Sequence, residues 1–341
     1  MEFHQVVIIG AGPAGLKCAE VLGASGFDVL LLEKNEVIGP KICAGGLTKK
    51  AVQYLNLPDD LIDFQSDEIK LHVNNKYSLI KHGSAFVYTI NRGKLGHWQL
   101  EKLRKFPNVK IETNSFVSAI GKNYLIAGNR KIKYDFLVGA DGSLSVVRQY
   151  LGIASKRIGP AVQYLIPPGK YQDFELFFNS KLFSAWYAWI FPHDNFVSIG
   201  CGCEPNLLSS KNLMKNFNVW LAKNKIDVSQ TKFEAFSINY DYQGYDFGNI
   251  FLAGDAGGFA SEFTGEGIYQ ALVTGEEIAR KIINPDYKPA QIEELLRIKK
   301  IHHSILSLLV KAGSFRTIIF HIGRLLFKTA YFRKKAIAIL G

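Results

Sequence analysis

Apolar residues fall along this chain in two rhythms. Four short runs are apolar at every position: residues 6–9 (VVII), 29–32 (VLLL), 136–140 (FLVGA) and 250–253 (IFLA). A strand covered on one face alternates, so these runs predict strands buried on both faces of a mainly parallel sheet. Helical spacing follows the first in LKCAEVLGASG and the last in IYQALVTGEEIARKI. A second rhythm of short alternating runs passes through IKLHV, YSLIKH, FELFF and FVSIGCG, and predicts a separate antiparallel sheet. From Ile301 onward Ile, Leu, Val and Phe recur at roughly helical spacing, which predicts C-terminal helices.

Composition narrows the class. With 341 residues, 48% apolar and 21% charged, the chain can bury a full core, which excludes a disordered or disulfide-built protein. Four cysteines in this length, and an opening MEFHQVVIIG without a basic region and cleavage site, lead us to expect a cytoplasmic chain. The net charge of +11 is concentrated at one end. Ten of the 41 basic side chains follow Glu294 and no acidic residue does, which leaves residues 1–294 with 31 basic and 30 acidic side chains. The longest uncharged stretch in that tail is about ten residues, short of the roughly 20 that a spanning helix needs. Two readings stay open: a basic amphipathic helix lying peripherally on an anionic membrane surface, or helices packed on the body with a basic outer face. The tail has no aromatic platform for RNA, and nucleic acid is not expected as a partner.

The first apolar strand runs into GAGPAG, Gly10 to Gly15, then a helix, then a second strand ending at Glu33. This is the dinucleotide fingerprint in its βαβ setting. Gly10 makes the tight turn, Gly12 and Ala14 lie where a pyrophosphate approaches, and Gly15 lets helix and strand pack closely. Glu33 can accept from ribose hydroxyls, and the helix N-terminus offers free N–H groups to phosphate. A motif this early in a long chain favours FAD over NAD as the tightly held ligand.

Two later segments repeat the strand-to-loop pattern. KYDFLVGADGSLSVVR places Asp141 at a strand end, and GNIFLAGDAGGFASEFTGEGIYQALVTG places Asp255 at another, before Gly267 and Ile268 open a helix. Asp255 can accept from a ribityl or pyrophosphate-side hydroxyl. The helix N-terminus at Gly267 can stabilise charge at the N1/C2 carbonyl of a reduced flavin. Cys201 and Cys203 form a C-x-C pair without further ligands and are read as structural, so no metal is expected.

VVIIGAGPAG, GADGSLSVVR and FLAGDAGG resemble the three cofactor segments of the flavoprotein hydroxylase-like superfamily, over roughly residues 1–285. PKICAGGLT and AWYAWIFP resemble, more narrowly, the geranylgeranyl reductase family. The resemblance implies that Cys43, Ala44 and Gly46 lie by the flavin, with Arg92 near the cofactor and Val117 close to the adenine. It implies that Tyr187, Trp189 and Phe191 line a lipid cavity, and that electrons pass from NAD(P)H or another reductant through FAD to an isolated prenyl double bond. The spacing of two also puts the three aromatics on one strand face. The bland alternatives are three aromatics packed in a core and a small buried thiol in a glycine loop. Cys43 and Tyr187, or a water near them, are the candidate proton donors; His193 and His97 read as surface or turn residues.

The implied fold class is α/β, with a discontinuous Rossmann-like FAD domain at 1–62, 92–155 and 244–284. An antiparallel substrate domain would take 63–91 and 156–243, and a basic helical region 285–341. The expected function is FAD-dependent saturation of a geranylgeranyl-type chain in an isoprenoid, lipid-like small molecule, by a monomer. The alternatives are an FAD monooxygenase of an aromatic or quinone-type substrate and a lipid-binding flavoprotein without turnover. A flavin-dependent halogenase is a more distant option, because Tyr187 and Phe191 depart from its Trp-x-Trp-x-Ile-Pro segment.

Overall fold

The computed structural model of the chain describes residues 2–340, less the side chains of 336 and 338–340. Its doubly buried runs form the centre of a seven-stranded sheet. The path is β8 (Val109–Glu112), β2 (Val29–Leu32), β1 (Glu2–Ile9), β11 (Arg130–Gly139), β10 (Tyr124–Ala127) and β9 (Val117–Gly121). The C-terminal half of β11 also pairs in parallel with β17 (Ile250–Leu252), while its N-terminal half takes β10 antiparallel. Why the central runs tolerate no polar residue is plain from their sides. Val6, Ile8, Val29 and Leu31 face one core, and Val7, Ile9, Leu30 and Leu32 face the other. On the first face lie α1 (Pro13–Ala24) and, against it, a long helix at Ile268–Ile283. The apolar residues Leu16, Ala19, Ile278 and Ala279 seal it.

A second seven-stranded sheet follows the path β16 (Lys232–Asn239), β12 (Ile158–Ile166), β15 (Val197–Gly202), β14 (Ala188–Pro192), β13 (Glu175–Phe178), β5 (Glu68–Val73) and β6 (Lys76–Lys81). All its pairings are antiparallel except β13 with β5. Alternation along β14 sorts its residues. Ala188 and Ile190 join a core with Phe217 and Trp220 of the helix Ser210–Lys223, whereas Trp189 and Phe191 face the opposite side. Cys201 and Cys203 sit in that first core as free thiols, and burial pushes the Cys203 thiol up to about 12.

The stretch 63–91 does not enter this sheet whole. Only β5 and β6 do. Its ends, β4 (Phe64–Ser66) and β7 (Val87–Thr89), form a three-stranded sheet with β3 (Gly46–Thr48) beside the cysteine–glycine segment, β7 pairing antiparallel with both of the others. The remaining helices in chain order are α2 (Lys49–Leu55), α3 (Arg92–Leu103), α4 (Val146–Tyr150), α5 (Ser180–Phe183), α6 (Ser210–Lys223), α7 (Ile268–Ile283), α8 (Ala290–Lys311), α9 (Arg316–Leu326) and α10 (Ala330–Leu340). Among the described residues no single helix is long and apolar enough to cross a membrane.

Where the two large sheets meet, one guanidinium holds three segments. Arg148, on α4 and 1% exposed, donates from Nη2 to the carbonyl and carboxylate of Asp241 at 2.7 and 3.3 Å, and from Nη1 to Ala256 O at 3.3 Å. Asp241 follows β16 and Ala256 follows β17, so the clasp joins the DG segment, the second sheet and the GD turn. Removing one member of a buried charge pair leaves the other unpaired in a low dielectric. Arg148→Met is therefore expected to lower stability by about 3 kcal/mol or more in urea unfolding. A loss under ~1 kcal/mol would show that the clasp is not structural.

Candidate functional site

A groove of about 550 Å³ opens at the C-terminal ends of β1 and β11, where the parallel sheet reverses its winding direction. Gly10 has φ +102°, and a Cβ there would lie 2.4 Å from Ala140 O; a Cβ on Gly15 would lie 2.0 Å from Gly10 O. These two positions are glycine because backbone occupies the space. Gly12 is different. Nothing stands within 4 Å of its Cβ position, which faces the groove, and it caps α1 with no side-chain hydrogen bond. Ala14 lies in the first turn of α1 and borders a smaller adjoining pocket of about 80 Å³.

Around the groove the polar atoms are only partly satisfied. Asp141 accepts through Oδ2 from the Val146 and Val147 N–H groups at 2.7 and 3.4 Å, while its Oδ1 is buried without a partner. Burial raises the Asp141 carboxyl above the usual range. Arg92, the first residue of α3, borders both spaces and leaves Nε buried and unpartnered. Val117, at the start of β9, lines the far end. Glu33 reaches back from the end of β2. Its Oε2 accepts from Ala11 N at 2.8 Å and its Oε1 from Asn35 N at 2.9 Å, so the carboxylate also braces the glycine turn.

The smaller pocket collects Cys43, Arg92, Asp255, Gly267 and Ile268. Asp255 Oδ2 accepts from Lys41 Nζ at 3.2 Å and lies 3.3 Å from Ser143 Oγ. Gly267 caps α7 without a side-chain partner, which leaves that N-terminus open to the pocket. An FAD fits this donor set: an empty cradle at Gly12, two uncapped helix N-termini, and orphaned atoms on Arg92 and Asp141.

The cysteine–glycine segment stands between two environments. Cys43 Sγ accepts from Gly45 N at 3.4 Å on the pocket side, while Ala44 packs with Trp189 and Phe191. A Cβ on Gly46 would lie 3.0 Å from the Phe191 ring. The three aromatics of the β14 segment do share a face, but that face is packed rather than open. Phe174 stacks on Phe191 with centroids 3.9 Å apart, and Phe178 lies against Tyr187 at 5.3 Å. Phe327 and Ile337 from the C-terminal helices cover the same cluster.

Tyr187 donates its hydroxyl hydrogen to Thr264 O, and burial raises its pKa. A phenol so committed positions the loop before α7 and is poorly placed to release a proton. Two residues were not assigned to the site from the sequence. His193 is no surface residue: it is buried, with Nε2 3.0 Å from Ala44 O and Nδ1 2.8 Å from Asp63 Oδ2. Both ring nitrogens face acceptors, so it anchors the cysteine segment. Nearby, Thr48 Oγ1 donates to Glu266 Oε1 at 3.2 Å. Burial lifts the Glu266 carboxyl to about 7, against hydrogen bonds from Thr48 and Gln270 and the charge of Lys50. A G-E-G sequence signalled only a turn; the partner that makes the glutamate notable comes from β3.

The fold and this groove define a flavin-dependent oxidoreductase. Comparison with known proteins agrees. The Thi4 family matches residues 1–116. The digeranylgeranylglycerophospholipid reductase of Methanococcus vannielii is 26% identical over 340 residues, covering 89% of this chain and 84% of that one. The geranylgeranyl diphosphate reductase of Synechocystis is 25% identical over 306 residues, covering 82% and 75%. A crystal structure of a geranylgeranyl bacteriochlorophyll reductase-like protein from Thermoplasma acidophilum superposes with a TM-score of 0.81 at 19% identity, over 99% of this chain and 96% of that one. The chain is an FAD-dependent oxidoreductase related to the geranylgeranyl reductases, as its motifs indicated.

Gly12→Val should keep the fold, since its Cβ meets nothing, yet lose FAD by filling the pyrophosphate approach. A yellow, stoichiometrically loaded variant with native circular dichroism would refute the assignment. Glu266 gives a pH test. Its folded pKa lies above the ordinary 4.5, so the folded protein keeps a proton that the unfolded chain releases. Stability should fall as pH rises from about 4.5 to about 7. Comparing urea midpoints of wild type and Glu266→Gln across that window checks this; equal slopes would contradict it.

Proposed function

We propose that this protein saturates isolated C=C bonds in a geranylgeranyl-type chain of a lipid-like molecule, with FAD reduced by NAD(P)H or another reductant. The observation that carries the reading is the position of the Cys43–Gly46 segment. One side borders the pocket at the α7 N-terminus and the other lies on the apolar face of Trp189 and Phe191. A chain held on that face would bring its double bond to the pocket past a segment with little side-chain bulk.

When bound, FAD supplies the hydride for one alkene carbon. The protein's part is to bind, orient and supply the proton. Arg92 Nε, the Gly12 N-terminus of α1 and Asp141 Oδ1 would hold the cofactor's phosphate and hydroxyl groups. The open N-terminus of α7 would favour negative charge at its pocket edge. Apolar contact with Trp189 and Phe191 would orient the chain and exclude water, at about 25 cal/mol per Å² of area covered. Cys43, on the pocket wall, is the better placed of the two donors, since Tyr187 does not line that pocket and already donates to Thr264 O. We read the protein as a cytoplasmic monomer that meets its lipid peripherally at a membrane, the basic tail supporting that contact.

Anaerobically reduced protein mixed with a geranylgeranyl lipid should reoxidise and add two hydrogens per bond, read by absorbance and mass. Failure to reoxidise, or an oxygen-dependent mass gain with a phenol instead, would overturn the reading. Cys43→Ser should keep its flavin spectrum and lose at least about 100-fold in turnover, within the range of positioned proton transfer. Unchanged turnover would leave Cys43 a structural thiol.

A further inference from the structure

The C-terminal arm carries its polarity inside out. On α9 the arginines turn toward the protein: Arg316 and Arg324 are 7% and 8% exposed. Arg316 Nε donates to Leu309 O at 2.7 Å, and Arg324 Nη1 donates to Ser78 Oγ at 2.8 Å and to Tyr77 O at 3.3 Å. The solvent side instead bears Phe315, Ile318, Ile322 and Leu325, each at least half exposed. Their spacing of three, four and three makes one continuous stripe along the helix. Leu308 before it and Tyr331 and Phe332 after it are exposed as well. A water-facing helix held to its protein by buried arginines has no reason to show this face to solvent.

Charge decides what covers the stripe. Lys311 precedes it, Lys328, Lys334 and Lys335 follow it, all exposed, and the chain holds no acidic residue after Glu294. A second copy related by a twofold axis would bring this lysine-flanked patch against itself, with no carboxylate from the arm to answer it. An anionic lipid surface answers both features, with acyl chains for the stripe and headgroups for the lysines. Placement gives the contact a use. Phe327, just after α9, and Ile337 on α10 pack into the aromatic cluster of Trp189 and Phe191, beside Ala44. The arm thus has one side on the proposed prenyl-chain face and the other toward solvent.

We propose that the α9 stripe is a bilayer-docking face, by which the protein seats on anionic membranes with the closed aromatic cluster directly behind the contact. The use made of that contact rests on the prenyl-lipid reading; the docking itself does not.

The test uses full-length FAD-loaded protein sedimented with vesicles of phosphatidylcholine alone or with about one third phosphatidylglycerol. Wild type should pellet with the anionic vesicles, less with neutral ones, and be released by high salt. Ile318→Ser with Ile322→Ser should weaken binding roughly tenfold while flavin absorbance and Tm stay at wild-type values. Lys328→Gln with Lys334→Gln and Lys335→Gln should weaken only the anionic component. Wild type left in the supernatant, or the serine variant pelleting undiminished, would overturn the proposal. So would a wild-type dimer in light scattering that the serine variant abolishes, because the stripe would then be covered by a second copy. Vesicle binding without prenyl turnover would retain the docking face and reject the reductase reading, so the two fail separately.

Discussion

The buried guanidinium of Arg148 is the constraint on which the rest of the architecture depends. Its partners come from three parts of the chain, Asp241 after the second sheet, Ala256 in the GD turn and α4 itself. Two further bonds reinforce the junction: Ser143 Oγ donates to Ser237 O at 2.6 Å, and Asn239 Nδ2 donates to Asp255 O at 2.9 Å. Without this junction the groove would have a floor but no wall: the β11–β17 pairing sets Asp141 beside Asp255 within the first sheet, but no strand pairing holds the second sheet against them. Loops would carry the cofactor contacts, and a buried polar network makes them rigid.

Much of the first sheet was legible because its strands are buried on both faces. An apolar residue at every position is a strong signal, and the glycines that follow mark where the chain must turn. The second sheet was legible as a kind but not as a register. β5 pairs with β13 from a distant part of the sequence, and β4 and β7 leave to join β3. A three-residue strand with ordinary alternation carries no signal of its partner. The site divides in the same way. Gly10, Gly12, Gly15, Asp141 and Arg92 sit in or next to local motifs. His193 and Glu266 matter through Asp63, Ala44 and Thr48, all far away in sequence.

The tail shows how charge counted along a sequence can mislead. Ten cations and no anions after Glu294 suggest a basic outer face. Two of those cations are buried, and they make the hydrogen bonds that fix α9 to α8 and to β6. Arginine suits this task because its planar fork satisfies several carbonyl and hydroxyl oxygens at once, and its stem packs against apolar neighbours. With the arginines and Phe320 turned inward, helical periodicity leaves Ile318, Ile322 and Leu325 facing out.

The closed aromatic face fits with this arrangement. Affinity for a flexible hydrocarbon chain comes from apolar area, and an apolar wall open to water would expose that area in every molecule without substrate. Packing Phe174, Phe327 and Ile337 against Trp189 and Phe191 keeps it covered. A chain entering from a membrane exchanges one apolar surface for another, so the hydrophobic cost of uncovering the wall is small where lipid is at hand and large in water. On the docking proposal the wall would be available mainly at a lipid surface, which is where a long, poorly soluble chain is found.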